Sequence, residues 1–284
     1  MIPVRWRWSE KDFGFRFRDS KGKAEYYQAR EAGAFYSVPP KQRKLEKARV
    51  DELAAGASPT SPRIVPNPWE KYDQEWDWIT TADGILLNFA GCLDQEEIHR
   101  REDEGVARAM ELVATLLDRP EPVALTSALV RQVHAELMGA IYPFAGEWRI
   151  VSLHKGDGPT KWPLPPGGIG QLMEVLERDV LARSPFMSSD DTQLFAYVSE
   201  VMGEFLAIHP FREGNGRTAF ILGNLLLMQN DLLPLDVYDR RNDEERYYAA
   251  CEEVRVHKNY GPLAALIAEW EEAAQARWEG AHGQ

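Results

Sequence analysis

One segment restricts this chain more than any other. From Thr218 to Gln229 it reads TAFILGNLLLMQ, apolar nearly all round. A helix apolar on every side must be covered on every side, so this segment belongs at the centre of a bundle. Its most apolar part, Ala219 to Met228, is interrupted by Asn224 and falls far short of the ~20 residues that a membrane span needs. A membrane partner is therefore not expected.

The chain supplies the covering helices. Asp94 can cap a helix through Val106, Met110, Val113 and Leu117 that stops near Pro120. Thr126 to Met138 reads as a second, ended at Gly139, and Leu172 to Leu181 as a third, after Gly167-Gly168 and before Pro185. Ser188 with Asp191 resembles a capping box that opens a helix carrying Leu194, Val198, Val201, Met202 and Phe205. Amphipathic helices follow over Glu244–Val256 and Pro262–Ala274. One stretch differs. Trp148 to Pro166 places Ile150, Val151 and Leu153 before Lys155-Gly156-Asp157-Gly158-Pro159, then Trp162 and Leu164, the pattern of a hairpin among helices. The fold class is mainly α with one β excursion.

The N-terminal segment has another character. Val4, Trp6 and Trp8 alternate with Arg5 and Arg7, and Phe13, Phe15 and Phe17 alternate with Arg16 and Arg18. Period-two aromatics predict a β-hairpin. Residues 1–50 hold 13 Lys/Arg against 6 Asp/Glu, whereas the rest of the 284 residues hold 20 against 39. A basic arm can meet a phosphate backbone, an acidic partner or the chain's own acidic body; nucleic acid is not the expected partner, because such a hairpin ordinarily buries one face and solvates the other. The organisation expected is a basic β-containing appendage over 1–53, a Pro/Ser-rich linker over 54–70 and a helical domain over 71–284.

Cys92 and Cys251 are the two cysteines, without a CxxC or Cys/His spacing. That is thiol usage of a reducing cytoplasm. Arg5, Arg7 and Trp8 stand where a signal peptide needs an apolar run. The expected location is cytoplasmic, and delivery into another cell is compatible with it.

The chemistry concentrates between two helices, in Ile208-His209-Pro210-Phe211-Arg212-Glu213-Gly214-Asn215-Gly216-Arg217-Thr218. This is a loop feeding a helix N-terminus, where unpaired N–H groups and the helix dipole make an anion site. Gly214 and Gly216 let backbone approach an anion. Arg217 adds a charge-assisted donor suited to phosphate. Glu213 is an oxygen ligand beside that site, as Mg²⁺ bridging phosphates requires. His209 opens the loop with the side chain best suited to accept a proton near neutral pH. Base, metal carboxylate, phosphate cradle and arginine together describe phosphoryl or nucleotidyl transfer. A metal hydrolase fits less well: Glu200 and Glu204 near His209 read as the solvated face of their helix, and no other histidine has HExxH-type spacing.

These residues resemble the Fic (filamentation) family signature HPFx(D/E)GNGRxxR, matched here through Arg217. Ile141-Tyr142-Pro143-Phe144-Ala145-Gly146-Glu147-Trp148-Arg149 is similar to the family's IYPWAGxxR segment. The hairpin after it stands where the family has its flap, and Tyr247-Tyr248-Ala249-Ala250 with Asn259-Tyr260 resembles its C-terminal helices. The resemblance covers about residues 90–270. It implies a Fic-type helical bundle with a β-hairpin flap, and transfer of AMP from ATP to a Tyr, Thr or Ser hydroxyl of a target protein. His209 would be the general base. Glu213 would hold Mg²⁺. Gly214, Asn215 and Gly216 would bind the α-phosphate, Arg217 the β-phosphate, and Tyr247 would pack near the base or fill the core. Val151, Ser152, Leu153, Trp162 and Leu164 would form the flap that clamps the target by strand addition. A separate, antitoxin-like inhibitor protein is a further partner that the resemblance allows.

One position departs. The signature's second arginine falls at Phe220, which shares a helix face with Arg217 at i, i+3. Phe220 is therefore expected to line the terminal-phosphate subsite. This keeps two alternatives open: another phosphate-containing donor, such as a different nucleotide or a phosphocholine donor, or a nucleotide-binding module without turnover. The family's autoinhibitory (S/T)xxxE(G/N) motif is missing as well. Glu104-Gly105, Glu213-Gly214 and Glu279-Gly280 are preceded at the key position by Arg100, His209 and Gln275, so the usual internal lock is expected to be absent or altered.

Overall fold

The computed structural model describes strand residues 5–9, 14–18, 24–31, 34–37 and 44–45, then residues 86, 88, 95–142, 144–149, 152–154, 160–236 and 243–282. The linker placed at 54–70, the helix cap at Asp94, and Ile150, Val151 and 155–159 of the hairpin lie outside the described residues.

The N-terminal strands β1 (Arg5–Ser9), β2 (Gly14–Arg18), β3 (Ala24–Glu31), β4 (Ala34–Ser37) and β5 (Lys44–Leu45) form one five-stranded sheet in sequence order. The expected hairpin is β1 with β2, in register Trp6 opposite Phe17 and Trp8 opposite Phe15. Period-two alternation is weak in β3, where Glu25, Tyr26 and Tyr27 follow one another, so the extension into a meander is not evident from sequence.

The helical body runs α1 (Gln95–Leu117), α2 (Ser127–Met138), α3 (Ile169–Asp179), a 3₁₀ turn (Leu181–Arg183), α4 (Asp191–Ile208), α5 (Asn215–Met228), α6 (Glu244–His257) and α7 (Gly261–His282). Between α2 and α3, β6 (Leu153–His154) pairs antiparallel with β7 (Lys161–Trp162), which is the expected hairpin. α5 is the central helix. All its residues except Gly216 and Met228 are buried, by packing against α4, α1 and α2. Asn224 survives in this apolar setting because its amide closes both bonds to Leu235: Nδ2 donates to the carbonyl (2.9 Å) and Oδ1 accepts from the N–H (2.8 Å).

Local chemistry sets most helix ends. Thr126 caps α2 by accepting from the Leu129 N–H at 3.1 Å, as its sequence position predicts. α4 is capped by Asp190, not by the Ser188–Asp191 pair: Asp190 accepts from the N–H groups of Thr192 and Gln193. Ser188 instead bonds Asp190's own backbone, so the cap moves two residues, to the aspartate. α3 begins at Ile169, directly after two positive-φ glycines, earlier than the apolar spacing suggested. Gly105 fixes the α1–α2 approach, since a Cβ there would lie 1.9 Å from the Leu137 carbonyl oxygen. Among the described residues no helix is long and apolar enough to cross a membrane.

Candidate active site

The loop joining α4 to α5 is shaped at both ends by left-handed backbone. His209 terminates α4 at φ 52°, ψ 60°, its N–H still bonded to the Phe205 carbonyl (2.9 Å). Such a conformation is uncommon for a residue with a Cβ, and it swings the imidazole out of the helix line. Gly214 begins α5 at φ 80°, and a Cβ there would meet Met138 Cε at 2.4 Å. Only glycine fits both demands.

Several bonds hold the loop between these ends. Asn215 Oδ1 accepts from the Phe211 N–H (2.9 Å) and its Nδ2 donates to the Phe211 carbonyl (2.7 Å). Its side-chain amide thus closes the loop. Buried His134 of α2 stacks on Phe211 at 3.6 Å. Its Nδ1 accepts from the Gly146 N–H (2.7 Å), so its Nε2 carries the proton and donates to the Glu213 carbonyl (2.9 Å). Burial pushes the His134 pKa down to about 4, so the ring is neutral. Arg149 ties down the other end. Its Nε donates to the His209 carbonyl (2.7 Å) and its Nη2 reaches the carbonyls of Ile208 (3.2 Å) and Pro163 (3.3 Å), linking loop to hairpin.

The imidazole of His209 is half-buried. Its Nδ1 lies 3.3 Å from the Leu206 carbonyl, an acceptor only, so Nδ1 carries a proton and the neutral ring has on Nε2 the lone pair that a base needs. Trp162 of β7 stacks on this ring, with centroids 4.0 Å apart and planes 23° apart. The buried indole N–H of Trp162 has no hydrogen-bond partner among the described residues. At the base of the hairpin, Ser152 Oγ accepts from the Leu164 N–H (2.9 Å).

His209 and Trp162 border a cavity of about 750 Å³. Leu153 and Thr160 line its hairpin side, Glu213 to Arg217 its floor, and Tyr247, Tyr248, Cys251, Glu252 and Arg255 of α6 its far wall. The N–H groups of Asn215, Gly216 and Arg217, in the first turn of α5, have no partner within the helix. The positive end of a central helix therefore opens into the cavity, opposite His209. Glu213 is exposed there, and one of its oxygens accepts from the Gly214 N–H (2.9 Å). Among the described residues no three His, Cys, Asp or Glu converge as a metal site. One carboxylate beside a phosphate cradle suits Mg²⁺, which uses one or two carboxylates plus phosphates.

Two expectations change. Phe220 does not line the cavity. It is fully buried, with ring centroids 5.8 Å from Tyr247 and 5.5 Å from Trp270. Tyr247 both borders the cavity and packs in that ring cluster. Arg217 meets a protein carboxylate: its Nη2 lies 2.7 Å from Glu102 Oε2, with side-chain exposures of 9% and 5%. Burial raises the Glu102 pKa to about 7, against the opposing pull of Arg217, and Glu213 adds to the rise. The carboxylate that pairs with the loop arginine is thus a glutamate of α1 outside every Glu-Gly pair. Glu104 is exposed and bonds Arg100, and Glu279 is exposed and bonds Gln275.

Comparison with known proteins agrees with this architecture. The Fic/DOC family profile matches residues 124–227. A probable protein adenylyltransferase of Sinorhizobium fredii, y4lH, is 33% identical over 65% of this chain and 88% of its own length. The chain belongs to the Fic/DOC family. Protein adenylyltransferase VbhT of Bartonella schoenbuchensis is 28% identical over 52% of the chain, which spans only 30% of VbhT. The N-terminal Fic domain of a Bartonella quintana cell filamentation protein, solved with bound ADP, shares the fold with a TM-score of 0.50 at 24% identity, over 66% of this chain and 89% of that one. Of the residues gathered at this site, the sequence made the loop and hairpin residues legible but not Glu102, His134 or the role of Arg149. Their signals are distant in sequence; only Arg149 stood inside a recognised segment.

Proposed function

We propose that this Fic/DOC protein is a protein adenylyltransferase that moves AMP from ATP to a Tyr, Thr or Ser hydroxyl of a target protein. The observation that carries this reading is the place of His209, its Nδ1 3.3 Å from the Leu206 carbonyl and its ring at a cavity whose floor is the N-terminus of α5. His209 Nε2 takes the hydroxyl proton as the target oxygen bonds to the α-phosphorus. The bond from that phosphorus to the bridging oxygen breaks, and pyrophosphate leaves with the electron pair. The N–H groups of Gly216 and Arg217 take the α-phosphate oxygens, strongest where charge builds up in the transition state. Glu213 is the residue that would hold Mg²⁺, which neutralises phosphate charge. Trp162 keeps water from the base and, with Leu153, presents the hairpin edge to which the target strand adds. The α6 wall faces the nucleobase.

A module without turnover rested on Phe220 alone, and that residue packs in the core. Radiolabelled ATP, GTP, UTP and CTP are incubated with the protein and a cell lysate, with His209→Ala in parallel. Protein labelling from ATP should exceed that from the other nucleotides and fall 10²- to 10⁴-fold in the variant, the usual loss of a general base. Equal labelling by the two proteins removes His209 from the reaction; labelling from another nucleotide alone replaces the donor.

A further inference from the structure

The N-terminal sheet lies outside everything the transferase site uses, and its register sorts its residues sharply. Arg5 stands opposite Arg18, and Arg7 opposite Arg16. In an antiparallel pair, opposed residues share a face, so these four arginines lie on one side of the sheet. The same register carries that face across the strands: Arg16 opposes Tyr26, Gln28 opposes Tyr36, and Tyr36 opposes Lys44. Among the described strand residues in register this face holds five cations and one carboxylate, Glu31, which the bulge after Ala29 sets opposite Ala34 at the end of β3. The other face receives Trp6, Trp8, Phe15, Phe17, Tyr27 and Phe35, with Glu25 as its one charge. The apolar residues needed for packing are thus gathered on one side and the cations on the other.

Like charges directly opposite each other weaken a sheet, and here the arrangement occurs twice in adjacent rows. The four arginine positions mark a patch about 5 Å across the strands and about 7 Å along them. A ligand with repeated negative charge relieves the repulsion. The two tyrosines choose among such ligands. Each stands beside a cation in register, the combination in which a ring takes a base while its neighbour takes a phosphate. An acidic peptide, or the chain's own acidic body, would use the cations but has no use for the rings. Bases are open to such rings in a single strand rather than within a duplex.

We propose that the Arg5/Arg7/Arg16/Arg18/Lys44 face of the N-terminal sheet, with Tyr26 and Tyr36, binds single-stranded nucleic acid. Nucleic acid was not the expected partner of a hairpin that buries one face and solvates the other; the register shows that the cations gather on the face opposite the aromatic residues.

The test uses the full chain and fluorescence anisotropy with a fluorescein-labelled 20-nucleotide RNA, its DNA counterpart, the same sequence as duplex, and a polyglutamate competitor. Five phosphate contacts give a slope of log affinity against log salt of about −3.5 on a single strand. Arg7→Gln with Arg16→Gln should reduce that slope by about 1.4 and weaken binding at 0.1 M salt about 25-fold. Tyr26→Ala should weaken binding about 5- to 150-fold and leave the slope unchanged. The arginine pair variant should melt no lower than the parent, since it removes repulsion, and should retain His209-dependent protein labelling. The RNA and DNA arms decide which strand is preferred. Absence of binding at 0.05 M salt, tighter binding to duplex, equal competition by polyglutamate, or indifference to Tyr26→Ala each overturns the proposal; the last two results point to an acidic protein or the chain's own body. If a variant fails to fold, the slope of the parent and its preference for single strands still decide.

Discussion

Glu102→Gln tests the electrostatic design of the site most directly. In the structure, the arginine assigned to the β-phosphate already holds a carboxylate in a buried pair at 2.7 Å. Glutamine keeps a carbonyl oxygen for the guanidinium but removes the charge. A charged hydrogen bond contributes about 1.5–3 kcal/mol, so releasing Arg217 should tighten ATP binding at pH 8 by about tenfold to a hundredfold. Burial raises the Glu102 pKa from 4.5 to about 7, so in the wild type the carboxylate is neutralised by pH 6 and the advantage of the variant should largely vanish there. The nucleotide's own phosphates titrate alike in both experiments and cancel in the ratio. Stability gives a second reading. A carboxyl with a raised folded pKa binds its proton more tightly when folded, so its contribution is full below pH 4.5 and lost as pH rises through about 7, a change of about 3 kcal/mol. Calorimetric ATP titrations at pH 8 and 6, with denaturant melts across the same range, measure both. Equal ATP affinity in the two proteins at both pH values would refute the reasoning.

His134→Gln should show the opposite stability trend. A base whose folded pKa is pushed from 6.5 to about 4 contributes stability that is full above pH 6.5 and is lost as pH falls through about 4; denaturant melts should show that acid-sensitive component, about 3 kcal/mol, disappear in the variant. Phe220→Arg should destabilise the protein by about 3–5 kcal/mol, because it replaces a fully buried ring with an unpaired guanidinium; a variant melting like the wild type with stronger ATP binding would return position 220 to the cavity. Glu213→Gln should weaken ATP binding in the presence of Mg²⁺ and leave binding in EDTA unchanged, measured by titration calorimetry, because the exposed carboxylate is the candidate cation ligand and not a part of the core.

What the sequence made legible was whatever depends on neighbours along the chain. The central helix was evident because nothing but full enclosure suits TAFILGNLLLMQ, and Thr126 declared its cap by standing three residues before the N–H it accepts from. The base, glycines and arginine of the loop lie within nine residues, so their convergence needed no topology. Glu102 reaches Arg217 across 115 positions and His134 reaches Glu213 across 79. Such contacts exist only once α1 and α2 are packed, and a single sequence has no term for that.

Phe220 shows where local reasoning breaks. Positions i and i+3 differ by about 60° around a helix, and on a half-exposed helix that places both on one side. α5 has no exposed side, so 60° is enough to pass from the cavity floor at Arg217 to the ring cluster with Tyr247 and Trp270. The missing second arginine therefore leaves no apolar patch at the phosphates; it leaves the cations that do border the cavity to bind them. Each of these has a protein partner: Arg217 holds Glu102, Arg255 holds Glu252, and Arg212 lies over the Phe144 ring at 5.6 Å. Binding a polyphosphate at this site is an exchange of partners, not the filling of a cationic void. Its net affinity then depends on how weakly each partner is held, and Glu102, whose charge burial already opposes, is the one most readily given up.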